Sequence, residues 1–256
     1  MKVIYFYLLI LLLNPPNVDQ YHLYIPHVET PQPYFGLAMA TNAPGDLDAL
    51  GVDWHYTWTA GSDPPMLWAG EISPIVPRDY EGEILFLNEP NVQIQANVAP
   101  EEAARRLGLA QLYYPRAKIL CCGVSVFAVE WVRRFWLAGG RPDGWHVHAY
   151  IESWITPEVA QSYLSQQHQI TGGEYWITEY GSMAGDLAEF SSMTEWFMAQ
   201  PWITRIAPYT NREPDGQWWS IGDGVELVAG NGTLTEIGAY YADVTRQRRE
   251  NGDWYR

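Results

Sequence analysis

The stretch Ile84-Leu85-Phe86-Leu87-Asn88-Glu89-Pro90 consists of a short apolar run followed by a polar end. Four apolar residues between polar neighbours are typical of a buried β-strand. A helical pattern begins near Pro100, where a proline at the first helical position followed by Glu101 and Glu102 suits the positive end of a helix dipole. The run Lys118 to Val124 then predicts the next strand. A strand, a helix and a strand in this order indicate a parallel sheet.

The same alternation continues in both directions from this unit. Further apolar runs predict strands at 34–39, 51–58, 66–68, 145–150, 175–178 and 203–207, and helical patterns occupy 45–50, 128–137, 157–168, 187–199 and 234–247. Eight strands in succession predict an α/β fold, a single compact (β/α)8 TIM barrel over 34–247, with shortened helices after the second and third strands. An open doubly wound sheet usually has a glycine-rich phosphate loop after its first strand, and Thr41-Asn42-Ala43-Pro44-Gly45 does not match one.

Composition limits the classes of partner. The chain has 256 residues, enough for one domain, and a formal net charge of −15 that would repel nucleic acid and an anionic membrane surface. Its 13 tryptophans and 17 tyrosines offer flat rings on which the apolar faces of sugars can stack. We therefore expect a monomer that binds a neutral polysaccharide or oligosaccharide, with no nucleic acid and no stable membrane partner after processing.

The N-terminal segment has the features of an export signal. The apolar run from Val3 to Leu13 is stopped by Asn14-Pro15-Pro16, and it is shorter than the roughly 20 residues that span a bilayer. We interpret 1–16 as a signal peptide, 17–33 as an extended leader and 248–256 as a C-terminal tail, and we expect a secreted protein. A retained anchor is the alternative.

The two cysteines, Cys121 and Cys122, are adjacent in an apolar run. Neighbouring residues on a strand point to opposite faces, so the pattern predicts two buried free thiols rather than a bridge between them.

Two glutamates stand where strand ends are predicted. Glu89 ends the fourth strand, and Glu179 follows the seventh, Tyr175-Trp176-Ile177-Thr178. In a closed barrel these two ends lie on opposite sides of the same mouth, where the catalytic groups of this fold are found. Cleavage of a glycosidic bond uses such a carboxylate pair. The alternative, a buried ion pair, would need arginine or lysine at the flanking strand ends, which supply few.

Several motifs together resemble a known family of enzymes. They are Trp54-His55-Tyr56-Thr57-Trp58, Met66-Leu67-Trp68, Leu87-Asn88-Glu89-Pro90, Gln95 to Ala104, His148-Ala149-Tyr150, Trp176-Ile177-Thr178-Glu179-Tyr180 and Asn231-Gly232-Thr233-Leu234-Thr235. From about Phe35 to Tyr241 the chain resembles glycoside hydrolase clan A, and within it family 128, the compact endo-β-1,3-glucanases. The chain departs from the pattern at Asn91, where aspartate is expected, and at Tyr209, where tryptophan is usual.

The resemblance implies roles for matching residues. Glu89 would be the general acid/base and Glu179 the nucleophile, Asn88 would bind the sugar 2-hydroxyl, and Tyr150 would hydrogen-bond Glu179. Independently of the resemblance, the mechanism requires an acid whose pKa is raised by burial and by its neighbour's charge, and a nucleophile whose pKa stays low.

Further side chains are candidates for substrate binding. Trp54, Tyr56 and Trp58 alternate on the second strand and so share one face, which either lines sugar subsites or packs against helices. With Trp54 and Tyr56, the remaining candidates are Gln95, His148, Trp68, Tyr180, Tyr209, Trp218 and Trp219.

The H-x-H pair on the sixth strand allows a different interpretation. His146 and His148 have the spacing of a metal site, but the additional histidine and aspartate ligands at other strand ends are not evident. We expect no metal and no cofactor, with His146 deep in the barrel and His148 at the mouth.

These observations predict a retaining glycoside hydrolase that cleaves β-glucan internally, with β-1,3-glucan as the favoured substrate. The first alternative is the same mechanism on a β-1,4-linked glucan, mannan or xylan. The second is a non-catalytic carbohydrate-binding barrel.

Overall fold

The fold contains eight strands, and the computed structural model describes residues 32–213 and 221–250. The strands are β1 (Tyr34–Ala38), β2 (Trp54–Tyr56), β3 (Met66–Leu67), β4 (Glu83–Phe86), β5 (Lys118–Ser125), β6 (Gly144–Ile151), β7 (Tyr175–Ser182) and β8 (Ile203–Ile206). The helices are α1 (Pro44–Leu50), α2 (Pro100–Tyr113), α3 (Val129–Leu137), α4 (Pro157–Thr171), α5 (Leu187–Met198) and α6 (Glu236–Glu250). A 3₁₀ turn covers Asp223–Val225. Within the described ranges, none of the helices is long and apolar enough to span a bilayer.

All ladder pairs are parallel, in the order β2-β1-β8-β7-β6-β5-β4-β3. The first strand, β1, pairs directly with the last, β8, so the sheet closes nearly completely and the remaining gap lies between β2 and β3. A backbone hydrogen bond of 2.9 Å from Met66 to Thr59 O links the loop after β2 to β3 at the remaining gap. The prediction of a (β/α)8 barrel is confirmed.

Two packed layers stabilise the barrel. Side chains inside it form one apolar cluster that includes Tyr56, Leu85, Leu120 and Trp176. The outward faces of the strands form a larger cluster with the surrounding helices, in which Phe135 on α3 is fully buried. Parallel strands buried on both faces explain why the sequence shows continuous apolar runs at these positions.

The segments after β2 and β3 differ from the prediction of shortened helices. Among the described residues, no helix lies between β2 and β4. The first of these segments contains Gly61, Pro64 and Pro65, and the second contains Pro74 and Pro77. Prolines lack the backbone donor that a continuing helix needs, so these connections form turns instead.

The cysteine prediction is wrong. The structure joins the sulfur atoms of Cys121 and Cys122 in a disulfide, and the peptide bond between the two residues is cis. The alternation of side chains along a strand assumes trans peptide bonds, which place successive Cα atoms about 3.8 Å apart. Here the two Cα atoms are 3.0 Å apart, and the rule does not apply.

A polar network closes the end of the barrel opposite the strand C-termini. Glu174, just before β7, accepts hydrogen bonds from Lys118 Nζ at 2.5 Å, Trp176 Nε1 at 2.7 Å and Thr204 Oγ1 at 2.7 Å. Arg205 lies over the Trp176 ring, 3.8 Å from its centroid. Burial acts to raise the pKa of Glu174, but the hydrogen bonds from Lys118, Thr204 and Trp176 outweigh burial, and the pKa is lowered.

We expect Glu174→Ala to lower the free energy of unfolding by about 1–3 kcal/mol, because three donors lose a common acceptor. A lowered pKa in the folded state means that this contribution is present above the unfolded value, about 4.3, and disappears as the pH falls. The difference between the parent and the variant, measured by denaturant unfolding, should therefore narrow below pH 4.

The matched control is Glu101→Ala. Glu101 pairs with Arg134 on the surface, where both side chains are about half exposed. Exposed pairs contribute little, because water screens the charges and two long side chains must be ordered. Equal losses for the two variants would contradict a special contribution of the Glu174 network.

Candidate active site

A cleft of about 580 Å³ opens at the C-terminal ends of the strands. Both predicted glutamates, Glu89 and Glu179, line it. So do six of the predicted substrate-binding residues, which are Asn88, Gln95, Trp68, His148, Tyr150 and Tyr209. The cleft therefore contains most of the residues that the sequence analysis placed at one mouth.

The end of β4 holds Glu89 in a specific backbone conformation. Leu87 and Glu89 both have positive φ, 69° and 46°, in a region that non-glycine residues seldom adopt. Backbone hydrogen bonds fix the turn from both sides, from Asn88 N to Trp68 O and from Glu89 N to Gly123 O, each 2.9 Å. Gly123 allows this approach, since a Cβ there would lie 2.8 Å from Leu87 O. Neighbouring strands thus determine where the Glu89 carboxylate lies.

A register shift between β6 and β7 places Glu179. Val147 pairs with Ile177, but the next pair is His148 with Glu179, so Thr178 is skipped. An extra residue of this kind changes the direction of the side chains that follow it. It brings the Glu179 and His148 side chains to the same face of the sheet at the mouth.

Neutral side chains donate hydrogen bonds to both oxygens of the Glu179 carboxylate. Oε1 accepts from Trp58 Nε1 at 2.8 Å and Tyr56 Oη at 3.1 Å, and Oε2 accepts from Tyr150 Oη at 2.7 Å. The residue is 5% exposed. An ionised carboxylate at this depth is tolerated because its oxygens are hydrogen-bonded.

His148 lies between the two carboxylates. Its Nδ1 is 3.2 Å from Glu89 Oε1 in hydrogen-bonding geometry. Its Nε2 is also 3.2 Å from Glu179 Oε1, but the alignment is too poor for a hydrogen bond, so this second contact is electrostatic. One imidazole ring therefore contacts both glutamates from opposite edges.

Charge and burial compete in this group. Burial lowers the pKa of His148, but the charge of Glu179 and the hydrogen bond to Glu89 outweigh burial, and the pKa is raised. Burial also raises the pKa of Glu179; His148, Tyr150 and Trp58 oppose this effect, the charge of Glu89 adds to it, and the net direction is upward. The prediction that the pKa of Glu179 stays low is therefore wrong for this structure. Burial is the largest cause of the increase, and the depth of a side chain does not follow from the sequence.

The aromatic residues of β2 occupy different depths, although they share one face. Trp54 was expected to wall a subsite, but it does not line the cleft and packs inside the barrel against Trp176, 5.5 Å between ring centroids. Tyr56 is fully buried and reaches Glu179 rather than the cleft surface. Trp58, which was weighed with Trp54 and Tyr56 but left out of the final set of candidates, lines the cleft. Its position two residues beyond Tyr56, nearer the mouth, was the available signal.

Tyr180 is also corrected as a substrate-binding residue. It follows Glu179 on the strand and therefore points to the opposite face. Its hydroxyl lies 3.0 Å from Thr194 Oγ1 on α5, and its ring stacks on Phe190 with centroids 4.9 Å apart. Trp218 and Trp219 lie outside the described residues.

Asn91 joins the turn after β4 to the end of β5. Its Nδ2 donates to Ser125 Oγ at 2.9 Å, and its Oδ1 accepts from Ser125 N at 3.1 Å. An aspartate could accept hydrogen bonds from both the hydroxyl and the backbone N–H of Ser125, so these contacts do not explain the departure from the family pattern.

His146 lies deep in the barrel, where its ring contacts Thr178 Oγ1 and Phe86 O, both at 3.2 Å. Burial lowers its pKa to about 3, and the charge of His148 acts in the same direction. His146 is therefore a neutral residue of the interior.

Comparison with known proteins places this geometry in a family. The model of the glycosyl hydrolase catalytic core matches residues 36–241, which include both glutamates. No curated protein matches the chain.

Solved structures share the fold. An endo-β-1,3-glucanase of family 128 subgroup II from Pseudomonas viridiflava is 22% identical, with a TM-score of 0.63, covering 82% of this chain and 96% of that one. An exo-β-1,3-glucanase of subgroup VI from Aureobasidium namibiae is 17% identical, with a TM-score of 0.66 and coverages of 83% and 96%.

A mutant endo-β-1,3-glucanase of subgroup I from Amycolatopsis mediterranei, crystallised with laminaritriose and laminaribiose, is 20% identical, with a TM-score of 0.64 and coverages of 82% and 98%. At these identities the similarity concerns the fold, and the family assignment rests on the match over 36–241. The chain belongs to the glycosyl hydrolase catalytic core family and is a glycoside hydrolase.

Proposed function

We propose that this glycoside hydrolase cleaves β-glucan internally with retention of anomeric configuration, and that β-1,3-glucan is its substrate. The observation that carries the proposal is the sharing of one cleft by Glu89 and Glu179, with His148 contacting both. Retaining and inverting glycoside hydrolases both use such a carboxylate pair, and the resemblance to clan A, whose nucleophile ends strand seven, supports retention.

In the first step Glu179 acts as the nucleophile. One of its oxygens bonds to the anomeric carbon as the glycosidic bond breaks, and Glu89 gives its proton to the departing oxygen. Tyr56, Trp58 and Tyr150 hold the Glu179 carboxylate in one orientation for this attack. The greater exposure of Glu89, whose side chain is 16% exposed against 7% for Glu179, suits a group that must reach a leaving oxygen and later a water.

In the second step Glu89 acts as the base. It takes a proton from a water molecule, the water oxygen bonds to the anomeric carbon, and the bond to Glu179 breaks. The imidazolium form of His148, favoured by its raised pKa, would stabilise the carboxylate that each step leaves behind.

The substrate proposal rests on charge, on polar groups in the cleft and on similar proteins. A net charge of −15 favours a neutral glycan over an anionic one. Asn88 is buried with an Oδ1 that has no hydrogen-bond partner in the described structure, so it remains an acceptor for a sugar hydroxyl. The family 128 proteins named above are β-1,3-glucanases, and one is bound to laminari-oligosaccharides.

We also propose that the protein is exported, because a polymeric glucan is met outside the cell. The apolar run from Val3 to Leu13 supports this proposal. Mass spectrometry of the N-terminus after secretion would test it.

The central test is product analysis on laminarin, curdlan, cellulose, mannan and xylan. We expect reducing ends from the two β-1,3-glucans, with a mixture of oligosaccharides that indicates internal cleavage, and a first product of retained configuration by NMR. Activity confined to a β-1,4-linked polymer would contradict β-1,3-glucan as the substrate and identify that polymer instead. Binding without cleavage of any polymer would identify a carbohydrate-binding barrel.

We expect Glu179→Ala to reduce turnover by at least about a thousandfold, because no covalent intermediate can form. Added azide should restore part of the activity on an activated aryl glycoside and yield a glycosyl azide of inverted configuration, since the small anion occupies the vacated space. Turnover equal to that of the parent would remove Glu179 from the mechanism. Glu195→Ala, an exposed position on α5, is the control.

We expect Glu89→Ala to slow cleavage of poor leaving groups by about 10²–10⁴-fold, because these need protonation. Substrates with activated phenolate leaving groups should react in the first step at nearly the parental rate. The measurement is kcat/KM for aryl glycosides of graded leaving-group pKa, and a uniform loss across the series would contradict the acid role.

A further inference from the structure

We propose that Phe127 and Trp154 form a subsite that binds a sugar ring of the leaving group, beyond the point of cleavage. The proposal rests on the proposed function, because it takes a glycan as the ligand and Glu89 as the acid.

These two side chains differ from the other aromatic residues. Phe127 is 41% exposed and Trp154 is 59% exposed, whereas every other phenylalanine, tyrosine and tryptophan in 32–213 and 221–250 is buried or half-buried. The two exposed rings are also in contact, with centroids 5.5 Å apart. Two large apolar rings that are adjacent and exposed to solvent indicate a binding surface rather than a contribution to the core.

The pair is continuous with the active-site cleft. Phe127 lines the cleft directly, and so do Glu152 and Ile155, the residues on either side of the turn that carries Trp154. Trp154 Nε1 donates to Glu152 Oε2 at 2.8 Å. The platform therefore extends the cleft outward from its wall.

Each ring belongs to a short turn that is closed by a backbone hydrogen bond. The turn at Phe127 is closed by a bond of 3.0 Å from Ala128 N to Ser125 O, and the turn at Trp154 by a bond of 2.9 Å from Ile155 N to Glu152 O. A ring whose orientation is fixed before binding loses little entropy when a ligand stacks on it.

The position of the pair in the barrel places both rings on one wall of the cleft. Phe127 follows β5 and Trp154 follows β6, so both lie on the arc that runs from β4, which ends in Glu89, to β7, which carries Glu179. The opposite wall of the cleft contains Trp58 and Trp68, after β2 and β3. Glu89, the acid that contacts the oxygen leaving with the departing sugar, borders both walls, because β3 and β5 both flank β4. We assign the wall after β5 and β6 to the leaving group, and a comparison of substrates that share the glycone but differ in the leaving group distinguishes this assignment from a place on the glycone side.

The chemistry of the platform fits a neutral sugar ring. The apolar C–H face of a pyranose can stack on the exposed indole or phenyl ring. Glu152 uses one oxygen for the indole, and its other oxygen can accept from a sugar hydroxyl. The expected ligand is a glucosyl unit on the reducing-end side of the scissile bond.

The test compares two substrates that share the glycone but differ in the leaving group. Laminarihexaose would place sugar rings on the platform, whereas the leaving group of 4-nitrophenyl β-laminaribioside ends at its aryl ring. For Trp154→Ala and Phe127→Ala we expect kcat/KM on the hexaose to fall about tenfold each, as for loss of a stacking contact. The values for the aryl glycoside should stay within about twofold of the parent.

A second measurement uses the same variants. The glycosyl-enzyme formed from the aryl glycoside can be trapped by laminaribiose instead of water, and the acceptor must then occupy the leaving-group side. We expect both alanine variants to lower the ratio of transfer to hydrolysis severalfold, and Trp154→Phe to retain most of it. Leu137→Ala, at a 78% exposed apolar position on α3, is the control and should match the parent in both measurements.

The outcomes separate the two proposals. A parent that cleaves the hexaose, with alanine variants that equal it in cleavage and transfer, would overturn the subsite and leave the proposed function intact. Equal losses on the hexaose and the aryl glycoside would also overturn it, since the pair would then act on the glycone or on the fold. A parent that releases nothing from any glucan would overturn the proposed function and the subsite with it.

Discussion

The site depends on keeping one carboxylate buried without a cationic side chain of lysine or arginine beside it. In the described structure the ion-pair contact of Glu179 is with His148 alone, and its remaining partners are the neutral donors of Tyr56, Trp58 and Tyr150. These groups come from β2, from the loop after it and from β6, so only a closed sheet brings them together. A lysine or arginine there would neutralise the charge that makes the oxygen a nucleophile. Besides His148, the barrel supplies polarity through the dipoles of these three donors, which need not reorganise during the reaction.

His148 links the two ends of this arrangement. Each ring nitrogen of His148 lies 3.2 Å from a different glutamate, so both carboxylates interact electrostatically with the same imidazole. The pKa of Glu179 shows the result, since burial and Glu89 raise it while His148 and two hydrogen bonds lower it.

The sequence predicts the fold and both glutamates because both follow from periodicity. Apolar runs alternating with helical patterns imply the parallel barrel, and a carboxylate at the end of such a run implies the mouth. Depth within the barrel does not follow from periodicity: Trp54 and Trp58 share a face, yet Trp54 packs on Trp176 and Trp58 donates to Glu179. The outward direction of Tyr180 was predictable from its place next to Glu179. The disulfide between Cys121 and Cys122 was not, because it accompanies a cis peptide bond that the sequence does not reveal.

The two walls of the cleft are supported very differently. The wall from β4 to β7 rests on ladders that include three strands of eight residues, whereas β2 and β3 have three and two residues and end the sheet on either side of its gap. Trp58 and Trp68 thus stand on loops beside the gap, while Glu179 lies within an eight-residue strand and Glu89 in the turn that follows β4. Both loops nevertheless reach the reacting groups, since Trp58 donates to Glu179 and Trp68 O accepts from the backbone N–H of Asn88, next to Glu89. A change in these loops that alters the shape of the bound glycan therefore also acts on the catalytic carboxylates, so specificity and chemistry cannot evolve independently at this mouth.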